Sequence, residues 1–147
     1  MKKILPPQLF YMSIVLMLAL NIFFPLLELI SFPYNYLGIL PLMGGLAVAI
    51  IGKEKFKEVG TNIKTFNQPD KLVTDGLFKY SRNPMYLGFC AALFGISILL
   101  GSLSPLIIVI IITILTDRWY IHFEESVLIN KFPQAYTAYK NNTRRWI

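Results

Sequence analysis

The stretch MYLGFCAALFGISILLGSLSPLIIVIIITILT, Met85 to Thr116, runs thirty-two residues without a charge. As one helix it would reach ~48 Å, too long for a hydrocarbon core of ~30 Å. The run must therefore fold back, and Gly101-Ser102-Leu103-Ser104-Pro105 supplies the turn. Ser104 suits the cap of the returning helix and Pro105 its first position. Two spans result, about 85–100 and 105–120, both short enough to need tilt, local thinning or burial against neighbours. Outward from this hairpin, Leu9 to about Leu27 and Phe32 to Ile51 form two further apolar runs. The sequence thus predicts an all-α, polytopic membrane protein: four transmembrane helices plus a cytoplasmic C-terminal helix, in a single membrane domain over 1–147.

Composition agrees. Hydrophobic residues make up 55% and charged residues 15%, against roughly 25% charged in soluble domains, and mean hydropathy is +0.56. The net charge of +6 comes from fourteen Lys and Arg against eight Asp and Glu. Those charges sit between the apolar runs, which argues against a soluble nucleic-acid binder. One cysteine, Cys90, excludes an intramolecular disulfide and a multi-cysteine zinc site. The first run is longer than a signal-peptide core and lacks a small-residue cleavage site after it, so it reads as a retained helix.

The basic residues set the orientation. Lys2 and Lys3 precede the first run, Lys53 to Arg82 hold seven more, and Arg118, Lys131, Lys140, Arg144 and Arg145 follow the fourth. The other two connections carry none, a positive-inside pattern that predicts cytoplasmic termini. Two cytoplasmic segments, 53–84 and 117–147, then hold nearly all the polar chemistry. Gly38, Gly45 and Gly52, with Ala49, recur along the second run, and Gly88, Ala92 and Gly95 along the third. These small residues are read as helix-packing faces rather than as room for a ligand.

In Asp75-Gly76-Leu77-Phe78-Lys79-Tyr80-Ser81-Arg82-Asn83-Pro84-Met85-Tyr86-Leu87-Gly88, Asp75-Gly76 marks a turn. Asn83 reads as a helix N-cap and Pro84 as the first helical residue. Backbone N–H groups at that start favour an anion, and Arg82 could clamp a carboxylate in a two-pronged contact. The plainer reading makes Arg82 and Tyr86 interfacial anchors. His122-Phe123-Glu124-Glu125 places two acids beside a membrane, so a cation must compensate them: an internal Arg or Lys, or a cationic ligand. His122, the only histidine, is a candidate general base, though an interfacial place is the simpler reading. His122 and Glu125 do not suffice for a metal site. Pro133 should start a short helix over 134–142, with Tyr136 and Tyr139 on one face.

Together the two constellations resemble the integral membrane methyltransferases of the isoprenylcysteine carboxyl methyltransferase and phospholipid methyltransferase group. The resemblance rests on Gly76, Arg82, Pro84, Tyr86 and Gly88, then on Glu124, Glu125, Leu128, Phe132, Tyr136, Tyr139 and Arg145, and covers about residues 60–147. Asn83 stands where the family commonly has His, which removes any acid–base role there, and Pro133 stands where a Gly usually follows the Phe. The resemblance implies S-adenosylmethionine as cofactor and a lipophilic, membrane-resident methyl acceptor, with no metal and no nucleic acid. It implies cofactor contacts from Gly76, Arg82, Asn83, Pro84, Tyr86, Glu124, Glu125, Tyr136, Tyr139 and Arg145. The sequence leaves the catalytic group open, with Arg82, Glu124, Tyr86 and His122 as candidates. The tail, 131–147, is expected to fold over the cofactor as a lid. The competing readings are an NADPH-dependent membrane reductase, which shares a similar Gly and Arg-x-Pro pattern, and a non-catalytic membrane scaffold.

Overall fold

A computed structural model describes residues 4–62 and 69–147 of the chain. Lys2, Lys3 and Lys64, part of the charge pattern, lie outside the described residues. The helices are α1 (Pro6–Phe23), α2 (Ile39–Val59), α3 (Pro84–Leu100), α4 (Leu103–Leu115), α5 (His122–Lys131) and α6 (Pro133–Asn142). Single 3₁₀ turns occupy Tyr34–Gly38 and Gly76–Lys79, and a π-helical turn, Thr116–Ile121, joins α4 to α5 without a break. The described residues contain no strand beyond one isolated bridge, Glu28 to Ser102. Among the described residues, three helical runs are long and apolar enough to cross a membrane: Pro6–Phe23, Tyr34–Val59 and Leu103–Lys131. The fourth, α3, has 17 residues and reaches ~25 Å. Their outer faces are apolar and open, with Val15, Ile22 and Leu40 each about 70% exposed. The chain is an integral membrane protein.

Boundaries follow local chemistry. Helix α1 begins at Pro6, three residues before the apolar run, because Pro6 and Pro7 fit its first turn. The Gln8 side chain also accepts from the Leu5 N–H at 2.9 Å. It ends at Phe23 rather than Leu27, since Pro25 drives Phe24 out of helical conformation. The second run is shifted too: helix continues from Tyr34 through the charged residues 53–58 and stops at Gly60, whose φ is +69°. The segment 53–84 is therefore helical at its start.

Helix α3 starts as the sequence predicts, with Asn83 at the cap and Pro84 first. The turn after it differs. Ser102, not Ser104, precedes α4, and Pro105 is its third residue. The Ser104 hydroxyl instead donates to the Phe24 carbonyl at 2.6 Å and accepts from the Leu26 N–H at 3.0 Å. Gly101 O accepts from the Leu29 and Ile30 N–H groups, so both short connections are joined at one end of the bundle.

The small-residue faces are packing faces. A Cβ on Gly45 would stand 2.5 Å from Gly88 O and 2.6 Å from Ala92 N, and one on Gly88 would stand 2.5 Å from Gly45 O. Gly38 and Gly95 meet the opposing backbone in the same way. Without a hydrophobic drive between helices in lipid, this backbone approach supplies dispersion that bulkier residues would block. Gly45→Val should destabilise the protein by about 1–3 kcal/mol. Gly44→Ala, one residue away with nothing within 4 Å of its Cβ, should not lower stability. Thermal unfolding of the two variants in detergent reads the contrast.

Candidate functional site

At the opposite end of the bundle, α2, α3, α5 and α6 surround a cavity of about 160 Å³. That is well above the ~15 Å³ one water needs, so it can take an organic ligand. Its wall contains Arg82, Asn83, Pro84, Tyr86, Glu124, Glu125, Tyr136 and Tyr139. Phe56, Leu72, Val73, Phe89 and Leu128 make the rest largely apolar.

Glu125 organises the polar half. It is buried, and its two oxygens accept from Arg82 Nη2 at 2.7 Å and Arg145 Nη2 at 2.6 Å. Arg145 also reaches Asp117, whose Oδ1 accepts from Trp146 Nε1 at 2.9 Å. The cation compensating Glu125 is thus internal. Arg82 Nη1 is engaged as well, donating to Thr143 O at 2.6 Å and Lys140 O at 3.1 Å. The two-pronged carboxylate clamp expected of Arg82 is therefore already used within the protein. Its Nε remains, buried and without a hydrogen-bond partner.

The tail is stitched to the same segment. Arg82 N–H donates to Arg144 O at 2.9 Å, and Asn83 Nδ2 to Arg145 O at 3.0 Å. Tyr139 Oη donates to Phe78 O at 2.6 Å. Pro133 starts α6 as predicted. The helix carries Tyr136 and Tyr139 to the cavity wall, with ring centroids 6.1 Å apart. Burial, then the charge of Glu125, pushes the Tyr136 phenol up to about 12. On the other wall, Tyr86 Oη donates to Glu124 Oε1 at 2.8 Å.

Three sequence candidates fall outside the cavity wall. Gly76 holds a left-handed turn, φ +63°, and opens the 3₁₀ turn that carries Phe78. Arg145 acts through Glu125 and Asp117. His122 is exposed at the start of α5 and does not reach the cavity wall. Sequence reading missed Asp117, whose signal was an acid directly after an uncharged span. It also missed Pro6 and Pro7, which bring α1 to the cavity. Thr61 Oγ1 accepts from the N–H groups of Asp70 and Lys71, which returns the chain toward Leu72 and Val73.

Three outcomes test this geometry. Arg82→Ala bares one oxygen of a buried carboxylate and should cost about 3–5 kcal/mol. Arg145→Ala, at a side chain 32% exposed, should cost less and expose the tail to protease; thermal unfolding and limited proteolysis measure the two. The Tyr136 phenol ionises later in the folded chain than the ~10 of a free tyrosine. Its contribution is whole below pH ~10 and is lost as pH climbs toward about 12. A spectrophotometric titration should lose one late phenolate phase in Tyr136→Phe and keep the still later phase of Tyr139, which burial pushes up further.

The chain matches the model of the phospholipid methyltransferase family over residues 32–135. Protein-S-isoprenylcysteine O-methyltransferase of Saccharomyces cerevisiae is 42% identical over 84 residues, which take in 54% of this chain and 34% of the relative. The chain thus spans about a third of the length of the curated relative it matches. No solved structure matches it.

Proposed function

The chain belongs to the phospholipid methyltransferase family, and we propose that it transfers a methyl group from S-adenosylmethionine to a lipophilic, membrane-resident carboxylate, amine or thiol. One observation carries this reading: the Arg82–Tyr86 segment, the Glu124–Glu125 pair and the two α6 tyrosines line a single cavity whose remaining wall is apolar. The cofactor, when bound, supplies a methyl group on a cationic sulfonium.

The residues fit that group. Its carboxylate calls for a cation donor, and Arg82 Nε is a buried one without a partner; Asn83 offers an amide beside it. Glu124, with Tyr86, would hold the ammonium or the ribose hydroxyls. Tyr136 and Tyr139 would face the adenine and shield the sulfonium. Glu125, Arg145 and Asp117 position these groups by locking the tail, which makes 131–147 the cover of the site. A covered, apolar-lined site holds nucleophile and electrophile at attack distance and excludes water, the two requirements of an in-line displacement. We place the cavity at the cytoplasmic boundary with both termini on that side, since the basic residues flank the cavity end of the helices.

Calorimetric titration of detergent-purified protein with S-adenosylhomocysteine, with NADPH in parallel, tests the reading. Saturable S-adenosylhomocysteine binding that falls at least about tenfold in Glu124→Ala, the loss of one charge-assisted contact, is the expected result. This variant leaves the Glu125 clasp intact, so its fold is retained. Binding of NADPH alone, or of neither by folded protein, would overturn it.

A further inference from the structure

We propose that Met85 is a specificity-determining residue of the cavity. Its side chain forms the seat for one flat heteroaromatic ring, the adenine of the cofactor, and Gly52 is the empty place that keeps it out of the ring's space. This rests on the reading of the cavity given above. The glycine seam between α2 and α3 changes character at its cavity end. At Gly38, Gly45, Gly88 and Gly95 the atom nearest an added Cβ is opposing backbone. At Gly52 it belongs to a side chain: a Cβ there would stand 2.7 Å from Met85 Cγ and 3.8 Å from its Sδ. Met85 lies one turn before Gly88 on the same face of α3. It is thus the last rung of the seam, where a long side chain crosses a gap that Gly52 leaves open, and it lines the cavity.

Its neighbours give this corner its chemistry. Phe56, one turn beyond Gly52 on the same face of α2, lines the cavity and meets Phe78 edge to face with ring centroids 5.2 Å apart. Phe78 in turn is held by the Tyr139 hydroxyl, which donates to its carbonyl. Met85, Phe56, Phe78 and Tyr139 therefore form an uncharged corner of one thioether and three rings. A polarizable thioether packs favourably against an aromatic ring, so this corner suits a flat ring, while Arg82 and Glu124 suit the amino-acid end of the cofactor. The clash at Gly52 falls on Cγ, next to the root of the side chain. A Cβ at that position therefore turns the whole Met85 side chain to another rotamer. The close approach of Gly45 and Gly88 shuts the seam on one side, and the space left within reach is the cavity of about 160 Å³.

The test is a double-mutant cycle on the full chain in detergent: wild type, Gly52→Ala, Met85→Ala and the double variant. Each is titrated with S-adenosylhomocysteine and with methylthioadenosine, which keeps the nucleoside but lacks the amino-acid end, and each is unfolded thermally without ligand. Gly52→Ala should weaken both ligands at least about fivefold, the low end of what overpacking costs. Its ligand-free unfolding midpoint should stay close to that of wild type, because the cavity takes up the displaced side chain. In the Met85→Ala background, Gly52→Ala should have no further effect on affinity. Equal weakening in both backgrounds, or a lowered midpoint with affinity unchanged, would show a packing role alone and overturn the proposal. Weakening confined to S-adenosylhomocysteine would place the effect at the amino-acid end and overturn it as well. Wild type that binds neither ligand refutes the methyltransferase reading itself, whereas wild-type binding without the coupling refutes this inference and leaves that reading standing.

Discussion

A carboxylate buried at the edge of a bilayer has neither bulk water nor lipid to solvate it, and it survives only with both oxygens engaged by cations. Glu125 meets this constraint with Arg82 on one oxygen and Arg145 on the other. Those two arginines come from the entrance to α3 and from the end of the tail, so satisfying one carboxylate fixes three distant parts of the chain. The carbonyls of Lys140 and Thr143 then complete Arg82, and Asp117 completes Arg145. The aromatic residues of α6 stand at the cavity because this network holds them there.

The bundle below is built by other means, with its polar contacts gathered at the far end around Gly101, Ser102 and Ser104. Between α2 and α3 the glycines let backbone touch backbone, and the lipid-facing sides remain unpacked. The protein is thus rigid where two helices share a glycine seam and charge-locked where the chemistry resides. Helix α1 takes part in neither the seam nor the clasp; it rests on α3 and α4 through Phe10, Met17 and their neighbours.

Much of this was legible in the sequence, for local reasons. The start of α3 could be read because Asn-Pro specifies a cap and a first turn within two residues, and the glycine faces because their spacing is helical. The hairpin was legible from length alone, yet its cap was misread: Ser104 is bound to Phe24 and Leu26, eighty residues back, and no local rule contains that partner. The end of α2 was obscured because its lysines and glutamates pair with one another along the helix and resemble a loop in composition. The family pattern located Arg82, Glu124, Glu125 and the tyrosines, but could not distinguish a residue facing the cavity from one holding it in shape. Gly76 and Arg145 lie behind the cavity wall, and His122, suggested by its residue type alone, lies outside it.

The π-helical turn at Thr116–Ile121 carries one residue more than an α-helical path would need. In lipid such a bulge is a register device. It absorbs an extra residue so that the helix beyond keeps the direction in which Glu125 faces the cavity; the same extra residue taken up as plain α-helix would rotate everything beyond by about 100°. The segment should therefore tolerate substitution at its exposed positions, Arg118 and Trp119, and loss of one residue within the bulge far better than loss of one residue from α5. Across relatives, the distance from the apolar hairpin to the acidic pair should vary only by the one residue that the bulge absorbs.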